Sequence, residues 1–104
     1  MQVKGWELFV RPLLLDQLEK LITAVEKEQK KQPKIYQDST NFKLLAALRQ
    51  ILFIEIPADP VRTDYRQGDT LGAGYKHWFR AKFGGQRFRL FFRYDSRSKI
   101  IIYA

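Results

Sequence analysis

The chain has no cysteine, a single histidine and a single methionine. Without cysteine it can form neither a disulfide nor a thiolate metal site, as in proteins of reducing compartments. His77 has no second histidine to share acid–base work with. Asp64, Asp69 and Asp95 are scattered, without the carboxylate–histidine spacing of a metal cage, so no metal and no cofactor are expected. No apolar run reaches the roughly 18–20 residues of a membrane span, and the N-terminus lacks the apolar core of a signal peptide. These absences lead to the expectation of a soluble, cytoplasmic protein with no membrane partner. Acidic residues are also few, 11 against 19 Lys and Arg, for a net charge of +8 over 104 residues.

Apolar residues are abundant at 45%, eight of them Phe, so one domain spanning residues 1–104 can bury a core. The charge is uneven. Residues 1–61 hold nine cations and eight carboxylates, whereas residues 62–104 hold ten and three. An excess confined to one half points to nucleic acid or an acidic protein partner.

Most of that excess lies around Trp78–Tyr94, WFRAKFGGQRFRLFFRY. At a period of two this segment reads as a hairpin turning at Gly84-Gly85. Phe79, Ala81 and Phe83 share one face with Phe88, Leu90, Phe92 and Tyr94. Arg80 and Lys82 share the other with Arg87, Arg89 and Arg93, around an exposed Phe91. Like charges side by side across a sheet are destabilising, so folding alone does not account for five cations on one surface. A polyanion does.

The rest of the chain supplies a lid for the apolar face. Val3–Val10 reads as a strand with Trp6 and Leu8 in the core and Gly5 admitting close backbone approach. Leu14, Leu18, Leu21, Ile22 and Val25 form a helical stripe. A second helix is predicted over Tyr36–Phe53, with Asp38, Ser39 and Thr40 as candidate caps and Leu44, Leu45, Leu48, Ile51 and Leu52 as its stripe. Pro57 and Pro60 block its continuation. Ala58–Tyr75 reads as a structural loop, since Gly68, Gly72 and Gly74 lack the Gly-Lys-Ser/Thr ending of a phosphate loop. A last strand spans Lys99–Tyr103, its Ile100-Ile101-Ile102 run suited to cover on both faces. The predicted fold is α+β: two N-terminal antiparallel helices packed on one face of a mostly antiparallel sheet, open on its basic face. An exposed edge at Lys99–Ala104 would allow a homodimer or a hetero-oligomer.

Several segments then become specific together: Gly5-Trp6-x-Leu8; Lys43-Leu44-Leu45-Ala46; Arg66-x-Gly68-x-x-Leu71-Gly72; Trp78-x-Arg80-x-Lys82-Phe83-Gly84; and Phe88-Arg89-Leu90-Phe91-Phe92-Arg93-Tyr94. In this order the chain resembles the YhaV family of type II toxin–antitoxin toxins, within the RelE/ParE superfamily. The resemblance implies an mRNA interferase acting with the ribosome and silenced by a PrlF-like antitoxin of the AbrB type. It also implies catalytic basic residues on adjacent strands, which fall on Arg80, Lys82 and Arg89. Arg87, Phe91 and Arg93 are then RNA-binding candidates. Family members continue past the position of Ala104 into a Trp-x-Asn-Asp segment and a helix, so a shortened, weakly active or inactive domain is one alternative. A ParE-like module directed at gyrase and a non-catalytic RNA or antitoxin binder are the others.

Cleavage of RNA by its own 2′-OH needs a proton acceptor and cations for the charge on phosphorus. Lys82, set among cationic neighbours, is the candidate general base. Arg80 and Arg89 are suited to the phosphorane, and Phe91 to stacking on a base.

Overall fold

The computed structural model describes residues 1–67, 78–85 and 87–104. The readings of Gly68, Gly72, Gly74, Asp69 and His77 fall outside them. The chain begins with a hairpin, β1 (Gln2–Val3) and β2 (Trp6–Val10), so the helices follow two strands instead of opening the fold. The expected single strand Val3–Val10 is broken by Lys4 and Gly5, both at positive φ (52° and 86°). Two consecutive left-handed residues are what a tight two-residue hairpin turn requires. A Cβ on Gly5 would meet nothing within 4 Å, so backbone conformation, and not close approach, is the reason for glycine there.

Helix α1 runs from Pro12 to Lys31. Proline suits the first helical position because its missing N–H would be unpaired there anyway. Leu14 and Val25 are buried and Leu18 and Leu21 half-buried, while Ile22, predicted for the stripe, is 38% exposed. Ser39 caps α2 (Thr40–Gln50), its Oγ accepting from the Phe42 N–H at 3.0 Å. The two helices are tied by Asn41 Nδ2 donating to Glu28 Oε1 at 2.8 Å.

The predicted second helix, Tyr36–Phe53, is therefore three pieces. A 3-10 turn (Tyr36–Asp38) precedes α2, and a widened π turn (Ile51–Glu55) follows it, leading into a short α turn at Ile56–Ala58. Pro57 explains the widening, because a proline ring clashes with the carbonyl four residues earlier and has no N–H to offer. The Ile56 N–H accordingly reaches back to the Ile51 carbonyl. That leaves the Leu52 carbonyl without a helical donor, since residue 57 is proline. Tyr103 supplies one: its hydroxyl donates to Leu52 O at 2.6 Å, fully buried.

The described strands form one mixed sheet in the order β1-β2-β6-β5-β4-β3, with β3 at Arg66–Gln67, β4 at Phe79–Phe83, β5 at Phe88–Asp95 and β6 at Ile100–Tyr103. Only β2–β6 is parallel. Strand β6 lies inside the sheet, paired with β2 on one side and β5 on the other. It is not an exposed edge, and pairing of another chain through Lys99–Ala104 is ruled out. Nor is it covered on both faces: Ile101 and Tyr103 are fully buried, whereas Ile100 and Ile102 are half-buried. One core joins Leu14, Leu48, Ile51, Leu52 and Ile56 to Trp6, Leu8, Ala81, Leu90, Phe92, Ile101 and Tyr103. Among the described residues no helix is long and apolar enough to cross a membrane.

Tyr103→Phe keeps the ring but strands the Leu52 carbonyl, and is expected to lose about 1–3 kcal/mol in chemical denaturation. Burial also pushes the Tyr103 and Tyr65 phenols up from their ordinary value of 10.0. The folded state therefore holds protons that the unfolded chain releases. This contribution is constant below about pH 10 and is lost as pH rises above it. Denaturation midpoints at pH 9 and 11 should fall less in Tyr103→Phe than in the parent chain.

Candidate nucleic-acid interface

The sheet has two unlike faces because its register is regular across β4, β5 and β6. Ala81 pairs with Leu90, Phe79 with Phe92 and Phe92 with Tyr103, all toward the core. The alternate positions turn away from it: Lys82 opposite Arg89, Arg80 opposite Phe91, and Arg93 opposite Ile102. Arg80, Lys82, Arg89, Phe91 and Arg93 thus share one face of adjacent strands. Among the described residues, no carboxylate lies within ion-pair distance of Arg80, Lys82, Arg87, Arg89 or Arg93.

The individual side chains differ from the sequence reading in three respects. Arg87 is in the turn, its N–H reaching the Gly84 carbonyl at 3.4 Å, and β5 begins only at Phe88, so Arg87 is exposed beside the cationic face and not on its ladder. Phe91 is half-buried; among the described residues the exposed aromatics are Phe9, on the same face through Ile102, and Phe88 at the hairpin end. Arg93 is solvent-exposed, yet its guanidinium lies over Trp78, 5.5 Å from the ring centre. Arg11 lies over the same ring at 5.8 Å. Trp78 is itself buried, and cations over an indole are held by its quadrupole. Arg11 escaped the sequence reading because it adjoins a helix-starting proline. Its alternation with Phe9 is the signal that could have found it.

A cleft of about 440 Å³ opens beside β4. Arg80 and Lys82 form one wall. Ile51 and Glu55 of the π turn, with Arg62, Thr63, Asp64 and Tyr65, form the other. Arg62 is paired with Asp64 and lies over the Tyr65 ring at 5.6 Å. The Tyr65 ring packs edge-on against Phe92 at 5.3 Å. The Arg80 Nε and the Tyr65 hydroxyl are buried without a hydrogen-bond partner among the described residues. The Ala58–Tyr75 segment, which reads in the sequence as a structural loop, contributes Arg62 to Tyr65 to this cleft.

A family model described as a toxin with endonuclease activity, of a toxin–antitoxin system, matches residues 8–104. The chain belongs to the YhaV toxin family. Ribonuclease toxin YhaV of Escherichia coli (strain K12) is 38% identical to it over 102 residues, 97% of this chain and 66% of that protein. Toxin YhaV of Escherichia coli O157:H7 matches to the same extent. The chain thus spans just under two thirds of the length of these YhaV relatives. No solved structure matches it.

The hairpin that carries this face depends on Gly84, which adopts φ +61° with Phe88 Cδ2 only 2.8 Å from where a Cβ would stand. Phe88 is held there by stacking on Phe83 at 5.6 Å. Gly84→Ala is expected to destabilise the fold by about 1–3 kcal/mol, and Gly85→Ala by less, since a Cβ at Gly85 meets nothing within 4 Å. Paired thermal melts of the two variants check this order.

Proposed function

We propose that this chain is the toxin domain of a type II toxin–antitoxin pair and cleaves mRNA as a metal-independent endoribonuclease. The observation that carries the reading is the Lys82–Arg89 register, with Arg80 on the same face and no carboxylate neutralising any of the three among the described residues. Membership of a family described by endonuclease activity supports it independently.

In this reading the RNA backbone lies along β4 and β5. Lys82 accepts the proton of a 2′-OH as that oxygen attacks the neighbouring phosphorus. Arg80 and Arg89 hold the extra negative charge of the phosphorane by bidentate contact. The 5′ oxygen departs and takes a proton from solvent, leaving a 2′,3′-cyclic phosphate and a free 5′ hydroxyl. Phe91 and the more exposed Phe9 offer faces on which bases stack, and Arg87 and Arg93 add charge at the rim.

The reading extends to a single RelE/ParE-like domain over residues 1–104, in which α1 and α2 run antiparallel on the core face of the sheet. It extends to a cytoplasmic setting with ribosome-bound mRNA as substrate, and to a PrlF-like, AbrB-type antitoxin as partner. A basic surface suits both a polyanionic substrate and an acidic segment that would block it.

Lys82→Ala is expected to reduce cleavage by about 100-fold or more, read by mapping mRNA 5′ ends after induced expression. Unchanged 5′ ends would remove Lys82 from the chemistry. For binding alone, log affinity for RNA should fall with log salt, and Arg89→Ala should reduce that slope by about one unit.

A further inference from the structure

We propose that Tyr65 is a substrate-binding residue whose hydroxyl, together with the Arg80 Nε–H, donates to an RNA phosphate seated in the cleft between β4 and the Ile51–Tyr65 segment. This rests on the reading of the cationic face as an RNA site and names a residue outside the hairpin that completes it.

The argument begins with unmet hydrogen bonds. A buried polar atom without a partner costs free energy, and such atoms in folded proteins are few and call for an explanation. Two of the three side-chain atoms left so among the described residues, Tyr65 Oη and Arg80 Nε, belong to residues lining the same cleft. Both are donors. Arginine has no acceptor, so the nearby Arg62 guanidinium can meet only the Tyr65 oxygen and leaves its proton unpaired, and burial outweighs that cation in favouring the neutral, proton-bearing form of the Tyr65 phenol. Two donors, the Arg80 charge and the Lys82 side chain around one cavity are complementary to an anion with several acceptor oxygens, which describes a phosphate diester.

The charges in the cleft agree. Arg62 occupies Asp64 and so cancels one carboxylate, leaving Arg80 and Lys82 opposite Glu55 alone. A volume of about 440 Å³ lies within the range of small-ligand sites and accommodates a nucleotide. The Tyr65 ring is also held in place, edge-on to Phe92 beneath and under the Arg62 guanidinium above. A hydroxyl on a fixed ring loses little freedom when it binds.

The test uses the whole chain and a fluorescein-labelled single-stranded RNA, fully 2′-O-methylated so that it cannot be cleaved. Tyr65→Phe preserves the ring, so its melting temperature should stay near that of the parent. Its affinity for the RNA should fall about tenfold, with the salt slope unchanged because no charge is removed. Arg80→Ala should lower both affinity and slope. The double variant should lose less than the two single losses combined, as for donors sharing one phosphate.

Parent-like binding by Tyr65→Phe alongside weak binding by Arg80→Ala would overturn the assignment of Tyr65 and leave the cationic face standing. Parent-like binding by Tyr65→Phe, Arg80→Ala and Lys82→Ala together would overturn both. Should Tyr65→Phe not fold, the parent chain labelled with 13Cζ-tyrosine decides. The Tyr65 signal, assigned by elimination from the other four tyrosines, should move on saturation with the RNA while that of Tyr103, bonded to Leu52, stays still. An unmoved Tyr65 signal would contradict the proposal.

Discussion

A single buried hydrogen bond, Tyr103 Oη to the Leu52 carbonyl, joins the middle of the sheet to the end of the helical layer. Its necessity comes from proline. With Pro57 unable to donate, the chain widens into a π turn, and the Leu52 carbonyl has no backbone N–H left to take. A helix end buried with an orphan acceptor is costly. Tyrosine at the end of the inner strand β6 resolves that cost and fixes where the next residues go. Among those residues, Glu55 and Arg62 to Tyr65 line the cleft with Ile51, so its geometry depends on a bond buried in the adjoining core.

The same separation of roles runs through β4 and β5. Alternation by two commits every second side chain to the core, and the residues left over are cationic. Their mutual repulsion works against the sheet. The core supplies what offsets it: Phe92, Tyr103 and Ile101 are fully buried, and Phe79 stacks on Tyr94 at 5.2 Å. Charge that would otherwise scatter is held as one surface by apolar packing behind it.

Much of this was legible in the residues. The hairpin, its two unlike faces and the helical stripe of α1 follow from periodicity, because each element is long enough to show its repeat. What was hidden depends on contacts distant in sequence. Lys4-Gly5 reads as strand because two residues carry no period. The π turn reads as helix because its apolar spacing differs little from an α stripe. Strand β6 reads as an edge because its neighbour β2 lies over ninety residues earlier in the chain. The places of Tyr65 in the cleft and of Arg11 over Trp78 are hidden for the same reason. A tyrosine in a polar loop and an arginine before a proline have no local signature of a site, and acquire one only when the sheet places Arg80 and Trp78 beside them.

We propose that RNA meets one surface, made of the outward face of β4 and β5 and the adjoining cleft wall of Ile51, Glu55 and Arg62 to Tyr65. Backbone amide shifts of the 15N-labelled chain, followed during titration with a non-cleavable RNA, test it directly. The account predicts that the large changes cluster at Arg80, Lys82, Arg89, Phe91 and the Arg62–Tyr65 segment, with α1 unmoved. Changes confined to α1 and α2, with β4 and β5 silent, would contradict it.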